Sequence, residues 1–144
     1  MDSICDMMKR TENIEEYLET LWIFEENRDA IAKIGQIAQH LRIAPPSAVE
    51  MLQKLKAKGF VTYKSREGVK LTKKGKEVAR QIIRNHRLVE LLMQKTLHAQ
   101  VDEKVACGVE HHMSEEFTNA LCTLLNHPRV CPHGNEIPKG KCCK

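Results

Sequence analysis

Apolar residues recur every three or four positions along most of the chain, which is the spacing of amphipathic helices. The predicted helices span residues 13–26, 33–40, 47–58, 73–96, 102–113 and 114–125. Pro45 and Pro46 separate the second helix from the third, and Gly59 is expected to end the third. Segments 60–64 and 69–72 predict two short strands joined by a glycine-containing turn. The pattern therefore predicts a mostly α-helical protein with one β-hairpin.

This order of elements is typical of a winged helix-turn-helix, in which the third helix enters the major groove of DNA and the hairpin contacts phosphates. We therefore expect residues 1–73 to form a domain that binds double-stranded DNA. Base contacts are expected from residues of the third helix, namely Pro46, Ser47 and Glu50. Phosphate contacts are expected from basic residues on the third helix and the hairpin, namely Lys54, Lys64 and Arg66.

Residues 74–126 are expected to form a second, α-helical domain that carries the dimer contacts. Its last two helices present more apolar surface than a pair of short helices can hide, which implies a homodimer interface. Residues 127–144 are rich in Cys, Pro and Gly and show no periodicity, so they are expected to form a tail. The predicted fold is an N-terminal winged helix-turn-helix followed by an α-helical dimerisation domain.

The composition is that of an ordinary globular protein, with 42% hydrophobic and 29% charged residues. No apolar run approaches the roughly 20 residues that cross a bilayer, and the first residues lack the basic-then-apolar order of a signal peptide. We therefore expect a cytoplasmic protein without a membrane partner. In that reducing compartment the six cysteines are expected to be thiols or metal ligands rather than disulfides.

Basic residues are concentrated in the middle of the chain. Residues 54–95 carry 13 Lys and Arg against 3 Asp and Glu, although the whole chain has a net charge of only +4. This asymmetry favours a polyanion partner, with a solvated charged helix as the alternative. The first half of the fourth helix belongs to this region and is expected to brace the hairpin near the DNA backbone.

One short stretch of the fifth helix concentrates reactive side chains. Cys107, Glu110 and His111 stand at positions i, i+3 and i+4, so they project from one helix face. The cluster is open to three interpretations: a metal site, a Cys/His catalytic pair, or a polar patch on a packed helix. A thiolate, a carboxylate and an imidazole together suit a borderline divalent transition metal, whereas calcium and magnesium prefer oxygen ligands only.

Three ligands are too few for a five- or six-coordinate ion, so further ligands are expected from other helices. Glu16 and Glu19 lie about one turn apart on the first helix, and His86 and Glu90 lie one turn apart on the fourth. Each pair alone is more often a solvated surface pair than a site. Their combination with the cluster on the fifth helix favours a metal centre.

Several motifs together carry a resemblance to a known family. They are Glu-Tyr-Leu-Glu at 16–19, Pro-Pro-Ser at 45–47, Leu-Thr-Lys-Lys-Gly at 71–75, Asn-His-Arg-Leu at 85–88, and Cys-Gly-Val-Glu-His-His-Met-Ser at 107–114. From about Asn13 to Leu125 the chain resembles the diphtheria toxin repressor family of metal-dependent transcriptional repressors, including its manganese-sensing branch. The resemblance implies a dimeric repressor with a divalent metal as co-repressor. It implies metal ligands at Glu16, Glu19, His86, Glu90, Cys107, Glu110 and His111.

The resemblance also bears on the choice of metal. Its iron-sensing branch has a thiol at the position of Cys107 and a methionine at the position of Glu16, whereas its manganese branch has acids at both. The thiol favours iron(II), with manganese(II) second, because manganese(II) prefers oxygen and nitrogen donors. Two nearby metals bridged by Glu110 or Glu19 are an alternative to a single ion. The metal is expected to connect the two domains and so set the spacing of two recognition helices for a palindromic operator.

The tail is expected to hold a second metal site or to be a mobile end. Its candidate ligands for zinc or an iron–sulfur cluster are Cys131, His133, Cys142 and Cys143. The larger relatives in the resembled family continue into an SH3-like domain that this chain is too short to contain. A ligand from that domain is expected to be replaced, for example by Glu103 or by the tail.

Two other functions compete with metal sensing as interpretations of the sequence. An enzyme would use Cys107 as nucleophile with His111 or His112 as base, but a single helix rarely aims both groups at one substrate atom. A winged-helix regulator switched by cysteine oxidation or a small ligand is the stronger rival. It predicts a DNA-binding response to peroxide in the absence of metal.

Overall fold

The computed structural model describes residues 2–28, 32–64 and 67–143, with backbone alone for residues 2–13 and 28. In chain order the elements are α1 Asp2–Arg28, α2 Ile34–Leu41, α3 Pro45–Ala57, β1 Val61–Lys64, β2 Gly68–Leu71, α4 Lys73–Leu91, a π-helical turn Leu92–Thr96, α5 Glu103–Glu110 and α6 Glu115–Leu124. The chain divides into two compact units between Ala79 and Arg80. None of the described helices is both long and apolar enough to cross a membrane.

The first unit is the predicted winged helix-turn-helix. Its core is formed by the inward faces of α1, α2, α3 and the hairpin, with Leu18, Ile37 and Leu55 fully buried. Strands β1 and β2 pair antiparallel, and Val61 lies opposite Leu71. Prolines occupy the first turn of α3, where a missing N–H costs no helical hydrogen bond. The fold class is confirmed.

Three predicted helix ends differ from the structure, and one of them is the end of α5, which lies at Glu110 instead of Met113. Helix α1 begins at Asp2, so Asn13 lies inside the helix instead of capping it. The capping preference of Asn is a local effect, and continued backbone hydrogen bonding overrides it here. The fourth helix ends as an α-helix at Leu91 and continues as a π-helical turn, in which Leu97 N–H donates to the Leu92 carbonyl.

The second unit contains the end of α4, helices α5 and α6, and the C-terminal segment. Asp102 caps α5 by accepting from two backbone N–H groups, and Ser114 caps α6 in the same way from Phe117 N–H. The segment expected as a separate tail is part of this unit, because Cys131 and Ile137 are buried in its core. It is packed against the helices over the described residues instead of forming a mobile end.

Arginines of α4 hold this C-terminal segment. Arg80 donates to the carbonyl of Lys139 at 2.6 Å, and Arg87 donates to the carbonyl of Glu136. Arg84 is 1% exposed and donates to the sulfur of Cys142. Three arginines of α4 thus satisfy acceptors inside the second unit. The expectation that the basic first half of α4 braces the hairpin near the DNA backbone stays a prediction.

Candidate metal centre

Helices α4 and α5 bring five of the predicted ligands together in the second unit. His86 and Glu90 lie one turn apart on α4, with His86 Nε2 3.0 Å from Glu90 Oε1. The other ring nitrogen, His86 Nδ1, lies 2.6 Å from Oε2 of Glu110, the last residue of α5. One imidazole thus connects two carboxylates that are almost fully buried.

The end of α5 adds a thiol and a second imidazole. His111 Nε2 lies 3.3 Å from Glu110 Oε1 and 3.9 Å from Cys107 Sγ. One donor atom from each of these three residues lies within 4.8 Å of the other two. The helical spacing of the three residues therefore produces the convergent donor set that the sequence predicts.

A residue of the C-terminal segment joins the same region. His133 Nδ1 lies 2.8 Å from Glu90 Oε2, and His133 Nε2 lies 3.6 Å from Glu103 Oε1. Glu90, Glu103 and His133 form a second convergent donor set. His133 was expected to join the cysteines of the tail, but the structure places it beside the carboxylates of α4 and α5.

The buried carboxylates have the environment of cation ligands. Glu90 is 2% exposed and Glu110 is 1% exposed. Glu90 Oε2 lies 2.8 Å from His133 Nδ1 and Glu110 Oε1 lies 3.3 Å from His111 Nε2, but neither contact has hydrogen-bond geometry. Buried carboxylate oxygens without well-aligned hydrogen bonds are costly, and a shared cation would satisfy them. The donor set therefore fits a divalent transition metal.

Asn85 positions this centre, a role that sequence reasoning missed. Its Nδ2 donates to the backbone carbonyl of Glu110 at 3.0 Å, and its Oδ1 accepts from Thr118 Oγ1 at 2.6 Å. These bonds fasten the end of α5 to α4 and α6. The signal in the sequence was its place beside His86 in the Asn-His-Arg-Leu motif.

Comparison with known families agrees with this arrangement. Residues 9–69 match the family model described as "Iron dependent repressor, N-terminal DNA binding domain". Residues 72–139 match the model described as "Iron dependent repressor, metal binding and dimerisation domain". The chain belongs to the iron-dependent repressor family. Members of this family are transcriptional repressors and not enzymes.

Individual relatives in the iron-dependent repressor family align with different shares of this chain. An HTH-type transcriptional regulator of Methanocaldococcus jannaschii is 32% identical over 77% of this chain and 90% of its own. The iron-dependent repressor IdeR of Mycobacterium tuberculosis is 30% identical over 92% of this chain and 58% of its own. The solved structure of the manganese regulator SloR is 35% identical with a TM-score of 0.77, covering 88% of this chain and 59% of the other. The chain thus spans little more than half the length of IdeR and SloR.

The remaining predicted ligands lie on α1, in the first unit. Glu16 and Tyr17 line an open groove of about 280 Å³ together with Ser47, Glu50 and Lys54 of α3. Burial raises the pKa of Tyr17, and the charge of Glu16 raises it further, so the phenol stays protonated. The contribution of Glu16 and Glu19 to a centre in the second unit stays a prediction.

The residues expected to contact DNA lie on the surface of the first unit. Those with described positions are exposed, namely Pro46, Ser47, Glu50, Lys54 and Lys64. Lys54 Nζ lies 3.7 Å from Glu50 Oε1, and Lys64 Nζ lies 3.5 Å from Glu67 Oε2. Arg66 lies outside the described residues. The DNA contacts themselves stay predictions.

The four candidate ligands of the tail are not brought together. Cys131 is buried in the core, where its sulfur accepts from the backbone N–H of Asn135 at 3.3 Å. Cys142 and Cys143 converge instead with Cys122 of α6 and with His127. Sequence reasoning missed these two because Cys122 fits the apolar face of a helix and His127 lies in the turn after it.

Proposed function

We propose that this chain is a metal-dependent transcriptional repressor whose homodimer binds a palindromic operator when a divalent metal occupies the centre on α4 and α5. The observation that carries the proposal is the pair of buried carboxylates, Glu90 and Glu110, connected by His86. They lie in the unit whose sequence matches a metal-binding and dimerisation domain, in a chain whose other unit is a winged helix.

The residues at the centre would divide between two donor sets. Cys107, Glu110 and His111 would hold one ion. Glu90, Glu103 and His133 would hold a second, and His86 lies within reach of a carboxylate from each set. The bound metal supplies positive charge to carboxylates that are otherwise buried close together. This arrangement supports two metals per subunit in preference to one.

The choice of metal depends on Cys107. A thiolate ligand favours iron(II) over manganese(II), which prefers oxygen and nitrogen donors. Relatives support both metals, since IdeR is named as iron-dependent and SloR as a manganese regulator. We propose iron(II) as the first choice and manganese(II) as the second.

Metal binding would be coupled to DNA binding through the first helix. Glu16 and Glu19 belong to the winged-helix unit, so their addition to the ligand set would make metal affinity depend on the arrangement of that unit. Glu16 also lines the groove that Ser47 and Glu50 of the recognition helix share. A coupling of about 1–3 kcal/mol is typical of such two-site systems.

The decisive experiment measures operator binding against buffered iron(II), manganese(II), zinc(II) and nickel(II) under anaerobic conditions, with bound metal counted. We expect Glu110→Gln to abolish the metal dependence, because the amide keeps the shape of the side chain and removes its charge. Glu116→Gln, on the exposed side of α6, is the matched control and should behave like the parent. His133→Asn should remove one metal equivalent.

Other results would contradict the proposal. If Glu110→Gln still binds DNA in a metal-dependent way, the centre is assigned to the wrong residues. If metal-free protein binds the operator and peroxide alone releases it, cysteine oxidation is the switch and Cys107 is its first candidate residue.

A further inference from the structure

A second group of donor atoms lies at the end of α6, apart from the centre described above. This C-terminal thiolate cluster consists of Cys122, His127, Cys142 and Cys143. Cys122 Sγ lies 3.7 Å from Cys143 Sγ and 3.5 Å from His127 Nδ1. Cys143 Sγ lies 3.8 Å from both Cys142 Sγ and His127 Nδ1. All four donors lie within 4.8 Å of one another.

Four of the six donor separations, from 3.5 to 3.8 Å, are close to the edge lengths of one coordination tetrahedron. Zinc binds thiolate sulfur at about 2.3 Å and imidazole nitrogen at about 2.0–2.1 Å. Tetrahedral angles then place two sulfurs about 3.8 Å apart and a sulfur and a nitrogen about 3.6 Å apart. We propose that the C-terminal thiolate cluster binds one zinc ion as a structural site.

The backbone after α6 brings the first two ligands together. His127 N–H donates to the Cys122 carbonyl at 2.8 Å, and Asn126 N–H donates to the Thr123 carbonyl at 3.0 Å. This pattern is a Schellman motif, in which the residues three before and two after the helix cap usually make an apolar contact. Here those residues are Cys122 and His127. Both Asn126 and His127 have positive φ, a conformation that costs energy in residues other than glycine.

Two arginines supply positive charge around the cluster. Arg84 Nη2 donates to Cys142 Sγ and Arg129 Nη2 donates to Cys143 Sγ, each at 3.1 Å. Arg84 is 1% exposed, and its Nε and Nη1 have no hydrogen-bond partner within the described residues. A buried guanidinium is costly unless it lies beside negative charge, which thiolate ligands of a bound metal would supply. Three thiolates and a neutral imidazole around Zn²⁺ would leave one net negative charge close to the two arginines.

The donor set also favours zinc over other metal ions and over an iron–sulfur cluster. Calcium and magnesium prefer oxygen ligands, so three sulfurs exclude them. An iron–sulfur cluster spreads its four protein ligands over two or four iron atoms, so these ligands cannot all lie as close together as the ligands of one ion. A single zinc would fasten the C-terminal segment to the end of α6 and to Arg84 of α4. Its role is structural and is separate from the metal that switches DNA binding.

The test uses full-length protein kept reduced and free of oxygen, stripped of metal, and titrated with zinc(II) or cobalt(II). The Cys107→Ser background removes the thiolate of the other centre. Of the cobalt equivalents that bind, we expect only the one at this cluster to show thiolate-to-metal charge-transfer absorption, and zinc should displace it. Addition of Cys143→Ser should weaken zinc binding more than about 100-fold, because loss of a ligand exceeds the 10–100-fold cost of losing an outer partner.

Matched controls separate this site from other thiols and from the switching centre. Cys131→Ser changes a buried thiol outside the cluster and should leave zinc affinity unchanged. Glu110→Gln should also keep this zinc equivalent, so failure of the proposed repressor function would not remove it. In the unmutated chain, zinc should protect Cys142 and Cys143 from alkylation, as mapped by mass spectrometry.

Three results would overturn the proposal. They are equal zinc affinity in Cys143→Ser and Cys131→Ser, a cobalt spectrum without thiolate charge transfer, and alkylation of Cys142 and Cys143 at the same rate with and without zinc. Acid-labile sulfide bound in proportion to iron would identify an iron–sulfur cluster instead. The alkylation measurement needs no variant, so it tests zinc binding at this cluster even if Cys143→Ser fails to fold.

Discussion

Glu110 is the residue on which the centre in the second unit depends most. Its two carboxylate oxygens face different imidazoles, His86 at 2.6 Å and His111 at 3.3 Å, and its backbone carbonyl accepts from Asn85. Side chain and backbone are thus both held while the carboxylate stays buried. Such a residue couples the position of α5 to the charge between α4 and α5, which is what a metal-dependent switch requires.

Cys107 should determine the metal preference. In Cys107→Asp the soft thiolate becomes a hard carboxylate, so affinity for manganese(II) should rise relative to iron(II). We expect the ratio of iron to manganese affinity to fall about tenfold, equivalent to about 1.4 kcal/mol. Competition titrations under anaerobic conditions measure this ratio directly.

The control for this substitution is Cys107→Ser, which removes the thiolate without adding a carboxylate. It should weaken binding of both metals, and of iron(II) more than of manganese(II), because the ligand that favours iron is lost. If both variants keep the parent's ratio of iron to manganese affinity, the thiol is not a ligand that selects the metal.

At the scale of elements, most helices follow from local sequence. Helices α2, α3 and α6 begin and end within two residues of their predicted limits. Their apolar period, prolines and caps all act over a few residues, so neighbouring structure is not needed to locate them. The Cys107, Glu110 and His111 set was predictable for the same reason, because three residues within one helical turn share a face.

The C-terminal segment could not be predicted in this way. Its route depends on contacts with residues about 50 positions away, since α4 arginines bind the carbonyls of Glu136 and Lys139. A segment without periodicity carries no local signal for such contacts. That is why His133 and Cys131 were grouped with Cys142 and Cys143, although the structure gives these residues three different environments.

Gly140 is required where this segment crosses Arg84. A Cβ atom added at Gly140 would overlap the Arg84 guanidinium. Because that guanidinium is buried and bound to Cys142, it has no solvent to move into. We expect Gly140→Ala to destabilise the protein by about 1–3 kcal/mol, as overpacking usually does. Urea unfolding followed by circular dichroism measures the change.

Gly108→Ala is the matched control for Gly140→Ala. Gly108 lies within α5, and a Cβ there would meet no atom within 4 Å among the described residues. Alanine in a helix is favoured over glycine by about 0.5–1 kcal/mol, so this variant should be as stable as the parent or slightly more stable. Equal unfolding midpoints for the two variants would show that Gly140 does not pack against Arg84 as described.

At the scale of the whole molecule, an apolar surface on α5 and α6 fits the proposed homodimer. Phe117 and Leu124 lie seven positions apart on α6 and are 56% and 67% exposed. Val105 and Val109 lie four positions apart on α5 and are also exposed. Both spacings place the paired residues on one helix face. Aromatic residues at the centre of an interface commonly carry 2 kcal/mol or more of the binding free energy.

Phe117→Asp should therefore weaken dimerisation by at least about 30-fold, the equivalent of 2 kcal/mol. Leu97→Asp makes the same change at a 61% exposed residue outside α5 and α6, and should leave the dimer intact. Sedimentation velocity at several concentrations gives the dissociation constants. Because two linked recognition helices gain about 10²–10⁴ in affinity over one, Phe117→Asp should also lose operator binding at saturating metal while metal affinity persists. The result that would contradict this prediction is a parent chain that stays monomeric under those conditions and still binds the full operator. In that case the exposed face of α6 would not form a dimer interface.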